Sequence, residues 1–146
     1  MKIVDLNVLI YAVDERSAHH RTVLPYWQRL LEGEEGIGLP WIVLVGFLRI
    51  TTNPRAFSAP LSADVACGLV DEWLALDVVS VPPEKPAHWR ALRRFVHDSG
   101  TAANLVTDAH IAAIASTRDA TLVSCDRDFE RFDGLRVENP LAVRTL

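Results

Sequence analysis

Two short runs of apolar, β-branched residues, one near each end of the chain, are each followed at once by an aspartate. The run "KIV" precedes Asp5, and "TLVSC" precedes Asp126. A third aspartate, Asp108, opens an apolar helical pattern in "VTDAHIAAIA". We expect the three carboxylates to converge, because the carboxyl ends of parallel strands share the sheet edge where α/β folds build their sites. Clustered carboxylates repel one another unless protons or a cation hold them, and a hard divalent metal with oxygen ligands would serve.

Strand-like and helix-like segments alternate along the chain, which indicates parallel strands joined by right-handed helical crossovers. The sequence therefore predicts an α/β protein with three layers, α/β/α, around a central parallel sheet of four to five short strands. We expect one domain spanning residues 1–146. The predicted strands are 3–6, 78–83, 121–125 and 135–140, and the predicted helices are 17–31, 40–53, 62–76, 87–100 and one that begins near Asp108.

The predicted helix from Pro40 to Asn53 is apolar on nearly every side, which is typical of a buried helix. A strand is the competing interpretation, because Ile42 and Val43 are β-branched. The length of the segment and Gly46 favour the helix. A glycine in mid-helix costs roughly 1 kcal/mol relative to alanine, so Gly46 is expected to permit a close approach of neighbouring atoms.

Composition excludes several classes of protein. No apolar run reaches the ~18 residues that span a bilayer, and Asp5 and Asn7 interrupt the apolar N-terminus, so we expect a cytoplasmic protein without a membrane segment. Cys67 and Cys125 lack the spacing of a zinc site or a disulfide framework. The net charge of −4 is unfavourable for tight binding to double-stranded nucleic acid. It does not exclude nucleic acid, since acids clustered in a site lower the net charge while basic patches persist elsewhere.

Taken singly, most of these acids have an ordinary structural explanation. An acid at a helix start, such as Asp108, can be a cap or a partner of the helix dipole. Asp126 and Asp128, in "DRDF", can be turn acids. Asp5 is harder to explain in this way, because apolar residues surround it and a carboxylate near buried surface needs a compensating partner.

Taken together, four separated stretches resemble the PIN-domain family, and within it the VapC-like toxins of bacterial VapBC toxin–antitoxin pairs. The stretches are "DLNVLIYA", "GFLRITTNPRAF", "LVTDAHIAAIA" and "TLVSCDRDFERFDGLRVENPL". Their order, their spacing and the total length all agree, so the resemblance covers essentially the whole chain.

The resemblance implies a ribonuclease that uses Mg²⁺ or Mn²⁺ to cut single-stranded or loop RNA, often transfer RNA or ribosomal RNA. Asp5, Asp108 and Asp126 match the acidic positions of the family and are expected to hold the metal, directly or through water. Asp128 is expected to be a fourth acid or to support the others. Flanking residues are expected to orient carboxylates or water or to contact substrate, namely Asn7 and Ser124. The family further implies a homodimer and a small VapB-like antitoxin whose C-terminal segment enters the site groove.

One departure from the family pattern concerns a glutamate that the family usually carries on the second helix before the "FLR" segment. Nothing from Gly36 to Ala63 is acidic, and the helix offers Leu44 and Gly46 instead. Three interpretations follow. The site works with three or four aspartates, Asp14 or Glu15 substitutes from the first loop, or metal binding is weak and the enzyme attenuated. The first is favoured, because the other acidic positions are intact and fewer carboxylates repel less.

Basic residues and histidines have open interpretations. Arg49 is expected to contact a phosphate or an acidic partner, or else to form an ion pair with a site aspartate. A basic stripe beside Trp89 either meets RNA, with Trp89 available for stacking, or is a solvated helix face; it consists of Arg90, Arg93 and Arg94. No zinc-binding spacing supports a site built from His19, His20 and His110.

Three functions are compatible with parts of this pattern. The first is the ribonuclease toxin. The second, motivated by the absent glutamate, is a PIN-fold module that binds RNA or a partner with weakened or no nuclease activity. The third is a phosphatase with Asp5 as nucleophile. It ranks last, because Asn7 occupies the place of the second acid and lysines are nearly absent.

Overall fold

The computed structural model describes residues 1–98, 100 and 103–142. A five-stranded parallel sheet in the order β3-β2-β1-β4-β5 forms its centre, and helices flank it, as predicted. The strands are β1 (Lys2–Val4), β2 (Ile37–Gly38), β3 (Val79–Ser80), β4 (Thr121–Val123) and β5 (Val137–Glu138). The helices are α1 (Leu6–Val13), α2 (His20–Glu32), α3 (Trp41–Thr51), α4 (Ala63–Leu74), α5 (His88–Asp98) and α6 (Val106–Ser116), with 3₁₀ turns at Ala103–Leu105 and Arg127–Arg131.

The strand order reverses at the centre of the sheet. From β1 the chain moves outward through β2 to β3, then returns to place β4 on the other side of β1. Right-handed crossovers therefore put α1 to α4 on one face of the sheet and α5 and α6 on the other. The packing agrees, since α1 contacts α2 and α3 while α5 contacts α6. The gap between the carboxyl ends of β1 and β4 is a topological switch point, the place where open α/β sheets bind ligands.

The first predicted strand is shorter than expected, and a helix follows it that was not predicted. The strand ends at Val4, and Asp5 caps α1 by accepting a hydrogen bond from the Leu6 amide at 2.7 Å. A side chain that accepts from the first helical N–H groups is the usual reason for a helix to begin at such a residue. The prediction was wrong here because Asp5 was not recognised as a helix cap. Without the cap, the apolar residues after "KIV" resemble a continuation of the strand.

Helix α3 is a helix as predicted, but the expectation that it is buried on all sides was wrong. Val43, Leu44 and Phe47 face the core, whereas Trp41 is 63% exposed and Val45 is 59% exposed. The close approach expected at Gly46 is confirmed, because a Cβ atom there would lie 2.7 Å from Leu6 Cδ2. Leu6 of α1 thus packs directly against the backbone of α3, beside the site described below.

The remaining tryptophans of the helical layer next to α3 belong to the core. Trp27 and Trp73 are 2% and 5% exposed and meet edge to face with ring centroids 5.6 Å apart. Phe47 contacts Trp73 as well, with ring centroids 5.0 Å apart. These aromatic contacts fix α2, α3 and α4 against one another on one face of the sheet. Within the described residues no helix is both long and apolar enough to cross a membrane.

Replacing Gly38 by alanine is expected to destabilise the fold. Gly38 pairs with Ile3 in the middle of the sheet, and an added Cβ would lie 2.5 Å from Ile3 Cδ1 and 3.2 Å from Pro82 Cγ. Because Ile3 is fully buried, relief requires strain in the core, and overpacking of this kind costs about 1–3 kcal/mol. The measurement is the free energy of unfolding from urea titration.

The matched control for this change is Gly68→Ala. Gly68 lies within α4, and no atom would come within 4 Å of its Cβ. Helix propensity alone then applies, and Gly68→Ala should be neutral or up to about 1 kcal/mol more stable than the parent. Equal stability of the Gly38→Ala protein and the parent would contradict the close contact with Ile3.

Candidate metal centre

Three of the predicted acids come together where α6 and β4 meet at the switch point. Asp108 is the third residue of α6, Asp126 caps the 3₁₀ turn that follows β4, and Asp128 lies within that turn. Each offers a carboxylate oxygen, and these oxygens all lie within 4.8 Å of one another. The fourth predicted acid, Asp5, is outside this closest set but lines the same cleft as Asp108 and Asp126.

Asp5 is held more tightly than the other three acids. Its side chain is buried, and its Oδ2 accepts hydrogen bonds from Ser124 Oγ at 2.7 Å and from Asn7 Nδ2 at 3.1 Å. Its Oδ1 accepts from the Leu6 amide. Burial raises the pKa of Asp5, while the bonds from Ser124 and Leu6 oppose that rise and Asp126 adds to it. The buried carboxylate therefore has the compensating partners that its position demands.

Asn7 and Ser124 link the two central strand ends. Asn7 Nδ2 also donates to Ser124 Oγ at 3.2 Å, and Asn7 Oδ1 accepts from the Cys125 amide at 3.0 Å. Ser124 Oγ accepts from the Asp126 amide at 3.0 Å. Ser124 is fully buried, so its hydroxyl orients Asp5 and the Asp126 backbone and is not open to a ligand. Groups of this kind, which orient the metal-binding carboxylates, are a regular part of metal sites.

The turn after β4 orients the remaining acids. Asp126 Oδ1 accepts a hydrogen bond from the Asp128 amide at 2.9 Å, which closes a short loop between the two residues. Asp128 lies 3.9 Å from the Arg131 guanidinium, a distance that gives a weak, partly solvated ion pair. The turn acids anticipated in "DRDF" are thus both turn-forming and part of the acidic cluster.

Asp108 feels the charges of the other three acids. Burial, followed by the charges of Asp5, Asp126 and Asp128, raises the pKa of Asp108 from 3.8 to about 6. Near neutral pH the group is mostly ionised, but three like charges oppose it. A bound cation would relieve this repulsion, and protons relieve it at lower pH.

Tyr11 belongs to the site and was not identified from the sequence. It lines the cleft of about 290 Å³ together with Asp5, Asp108 and Asp126. Burial, with further contributions from Cys125 and Asp126, raises the pKa of its hydroxyl, so the group is a neutral hydrogen-bond donor beside the acids. The signal that could have found it is the four-residue interval from Asn7 to Tyr11, which places both on one face of α1.

The α3 side of the cleft is apolar. Ile50 lines the cleft, Leu44 is buried in the core, and no described residue of α3 is acidic. Arg49 is exposed in the last turn of α3 and is not among the described residues that line the cleft. Within the described part of the chain it forms no ion pair, so the alternative of a structural pair with a site aspartate is not realised.

The donor set fits a hard divalent cation. Its members are carboxylate oxygens, which Mg²⁺ and Mn²⁺ prefer, and no described cysteine or histidine belongs to the set. Burial is the largest cause of the raised pKa of Asp108, and the neighbouring carboxylates add repulsion that such an ion would offset. The open side of the cleft leaves room for water and substrate next to the carboxylates.

Comparison with known proteins agrees with the fold. The profile of the PIN domain matches residues 2–135. Ribonuclease VapC37 of Mycobacterium tuberculosis is 41% identical over 143 residues, which cover 98% of this chain and 99% of that protein.

Two solved structures have the same architecture at low sequence identity. One is VapBC2 from Rickettsia felis bound to a DNA fragment from its promoter, with a TM-score of 0.69, 18% identity and coverage of 94% of this chain and 97% of that chain. The other is Mycobacterium tuberculosis VapC20, described as a sarcin–ricin loop cleaving toxin. Its TM-score is 0.65 at 18% identity, with coverage of 93% of this chain and 99% of that chain. At these identities the likeness shows a common fold.

Asp108→Asn is expected to stabilise the metal-free protein at high pH and not at low pH. The folded-state pKa of about 6 lies above the ordinary 3.8, so the folded state binds more protons than the unfolded state between these values. Stability from this group is present below the lower pKa and is lost as the pH rises through the higher one. An asparagine at this position carries no charge and escapes that loss.

The measurement is the melting temperature in chelator across that pH range. The Asp108→Asn protein should melt above the parent at about pH 7.5, and the two should converge near about pH 4. The control is Glu72→Gln, an exposed acid on α4, which should follow the parent throughout. A parent protein that melts above the Asp108→Asn protein at the higher pH would contradict repulsion within the cluster.

Proposed function

The chain belongs to the PIN-domain family, in its VapC branch, and on that premise we propose that it is a metal-dependent endoribonuclease acting as the toxin of a toxin–antitoxin pair. The observation that supports this best is the convergence of four aspartates at the switch point between β1 and β4. The reaction is hydrolysis of an RNA phosphodiester bond. The whole chain, residues 1–146, is proposed to form a single PIN domain.

We assign the metal to the acidic cluster. The ligands would be the neighbouring carboxylate oxygens of Asp108, Asp126 and Asp128, which would hold Mg²⁺ or Mn²⁺. The fixed carboxylate of Asp5 would contact the ion directly or through water and add negative charge to the site. When bound, the ion lowers the pKa of a water molecule and offsets charge on the phosphate. Asn7 and Ser124 keep Asp5 in one orientation. The Tyr11 hydroxyl is available to donate to a phosphate oxygen in the same cleft.

The absent glutamate is best explained by a site that works with aspartates alone. Asp14 follows α1 at its far end, about 13 Å along the helix from Asp5, and its side chain accepts from the Arg16 amide. It is therefore badly located to replace a carboxylate of α3. Asp128 supplies a third oxygen within the cluster, and this supports the interpretation favoured from the sequence.

The substrate proposed is a single-stranded or loop segment of transfer RNA or ribosomal RNA. The relative with 41% identity is named a ribonuclease, and a protein of the same fold is described as cleaving the sarcin–ricin loop. Arg49 is exposed and precedes Ile50, which lines the cleft, and its guanidinium is available to contact a phosphate. An RNA substrate of this kind is met in the cytoplasm.

The partners proposed are a VapB-like antitoxin and a second copy of the chain. Related structures are VapBC complexes, which supports the antitoxin. For the dimer the support is the α3 patch, formed by Trp41, Ile42 and Val45, which are 63%, 37% and 59% exposed. Contiguous exposed apolar side chains of this size commonly mark a protein interface.

The alternative function is a PIN-fold module that binds RNA or a partner without efficient cleavage. The observation that favours it is the apolar α3 side of the cleft, where Ile50 faces the acids. The two functions differ in whether the cluster binds a divalent ion strongly enough to activate water.

Cleavage of a pool of transfer and ribosomal RNA should require a divalent ion and an intact cluster. With Mg²⁺ or Mn²⁺ the parent should yield discrete fragments, and chelator should abolish them. Asp5→Asn and Asp108→Asn should each lower the rate by at least about 100-fold, because each removes charge or an oxygen ligand from the site. Gel analysis of fragments over time is the measurement.

Asp14→Asn is the control for that experiment, and it should cut RNA like the parent. Loss of cleavage in the Asp14→Asn protein would instead support substitution by the first-loop acid. A parent that neither cuts RNA nor gives a calorimetric Mn²⁺ signal would overturn the nuclease and favour the binding module.

Val45→Glu is expected to convert a dimer into a monomer. The substitution puts a charge in the centre of the α3 patch, where a partner copy could not solvate it. Light scattering after size-exclusion chromatography gives the molar mass. Leu76→Glu is the control, since Leu76 is 38% exposed but lies outside the α3 patch. An unchanged mass for the Val45→Glu dimer would exclude α3 as the interface.

A further inference from the structure

A second concave surface, here called the α5 groove, lies along α5 and reaches the start of α6. Its volume is about 700 Å³, within the range of sites that take small ligands. Trp89, Leu92 and Val106 give it an apolar lining, and Arg90 and Arg93 are among the basic residues along it. None of the assignments made above uses this groove.

The charge of the α5 groove is opposite to that of the chain. Three arginines, Arg90, Arg93 and Arg94, and one acid, Asp98, line it, although the net charge of the protein is −4. Within the described residues none of the three arginines forms an ion pair. The Arg94 guanidinium lies over the Phe95 ring, 4.7 Å from its centroid, which leaves Arg90 and Arg93 as the more open cations.

Trp89 supplies the second element of the groove. It is 68% exposed, which is unusual for the largest apolar side chain and leaves much of the indole open to a ligand. Exposed aromatic rings beside arginines are the arrangement by which proteins bind single-stranded nucleic acid, since bases stack on the ring while cations meet phosphates. A paired helix would keep its bases stacked inside and could not use the ring in this way.

The groove and the acidic cleft both border the start of α6. Val106 lines the groove and Asp108 belongs to the cluster, and because the two are only two residues apart on a helix, their side chains project from nearly opposite sides of it. A strand lying in the groove therefore reaches the cleft by passing around the N-terminal turn of α6.

From these contacts we infer that the α5 groove binds an unpaired segment of RNA at a distance along the strand from the bond that is cut, with a base stacked on Trp89 and phosphates at Arg90 and Arg93. The inference rests on the proposed ribonuclease function and deepens it, because it locates a substrate subsite outside the acidic cleft. Affinity from this subsite would hold the strand while another of its phosphates occupies the acidic cleft.

The test measures binding separately from cleavage. A fluorescein-labelled single-stranded oligoribonucleotide of about 12 nucleotides is titrated with the full chain in chelator, and its anisotropy gives the Kd. Trp89→Ala should weaken binding roughly tenfold and Trp89→Phe much less, since phenylalanine keeps a stacking face. Arg93→Gln should weaken binding and reduce the slope of log Kd against log salt concentration by about 0.7, the value for one phosphate contact with a single strand.

Arg21→Gln is the matched control, an exposed arginine on α2 outside the groove, and it should leave the Kd and the salt slope as in the parent. Circular dichroism melting confirms that each variant is folded. A Kd unchanged in both Trp89→Ala and Arg93→Gln would overturn the inference. A competition experiment gives a second outcome that would overturn it. If a polyglutamate peptide of equal charge displaces the labelled RNA as effectively as unlabelled RNA does, the occupant of the groove is an acidic protein segment.

Cleavage assays distinguish failure of the groove inference from failure of the proposed ribonuclease function. A parent that cuts RNA, with variants that bind it as tightly as the parent, overturns the groove alone. A parent whose binding depends on Trp89 and Arg93 but which cuts nothing with Mn²⁺ upholds the groove and overturns the nuclease.

Discussion

The pairing of β1 with β4 is the contact on which the site depends. Val4 and Val123 are partners in the parallel ladder, and the Asp5 amide donates to the Val123 carbonyl at 2.9 Å. One residue further, Ser124 and Asp5 are joined through their side chains at 2.7 Å. Residues 119 positions apart thus share one hydrogen-bond network, because the chain passes through the whole β3 side of the sheet before it returns beside β1.

The same network explains how a buried carboxylate is tolerated without a cation of its own. Asp5 accepts three hydrogen bonds, and those from Ser124 and Leu6 offset part of the desolvation that raises its pKa. Asp108 has no such set of donors among the described contacts, and burial followed by the repulsion of its acidic neighbours raises its pKa to about 6. The protein therefore surrounds Asp5 with hydrogen-bond donors, whereas Asp108 lies among like charges that a bound cation would offset.

Much of this could be predicted from the sequence, and the omissions have physical reasons. The parallel sheet follows from the alternation of strand-like and helix-like segments, and it is confirmed. The location of the acids at strand ends follows from their position directly after apolar runs. Helix α1 was missed because its cap, Asp5, was interpreted only as a site residue, and β2 because two residues carry almost no pattern. The exposed face of α3 could not be predicted, since an apolar stretch does not say whether the core or another chain covers it.

Charge segregation reconciles an acidic chain with a polyanionic substrate. The acids needed for the metal are gathered at the switch point, where a divalent ion would cancel much of their field, while arginines that form no ion pair with the described residues line the α5 groove. With the ion bound, an approaching strand meets a neutralised cleft and a basic groove. Without it, the cleft repels phosphate at close range. Metal binding would then control RNA binding at the cleft as well as catalysis, whereas the α5 groove, which contains no metal-binding acid of the cluster, would attract RNA in either state.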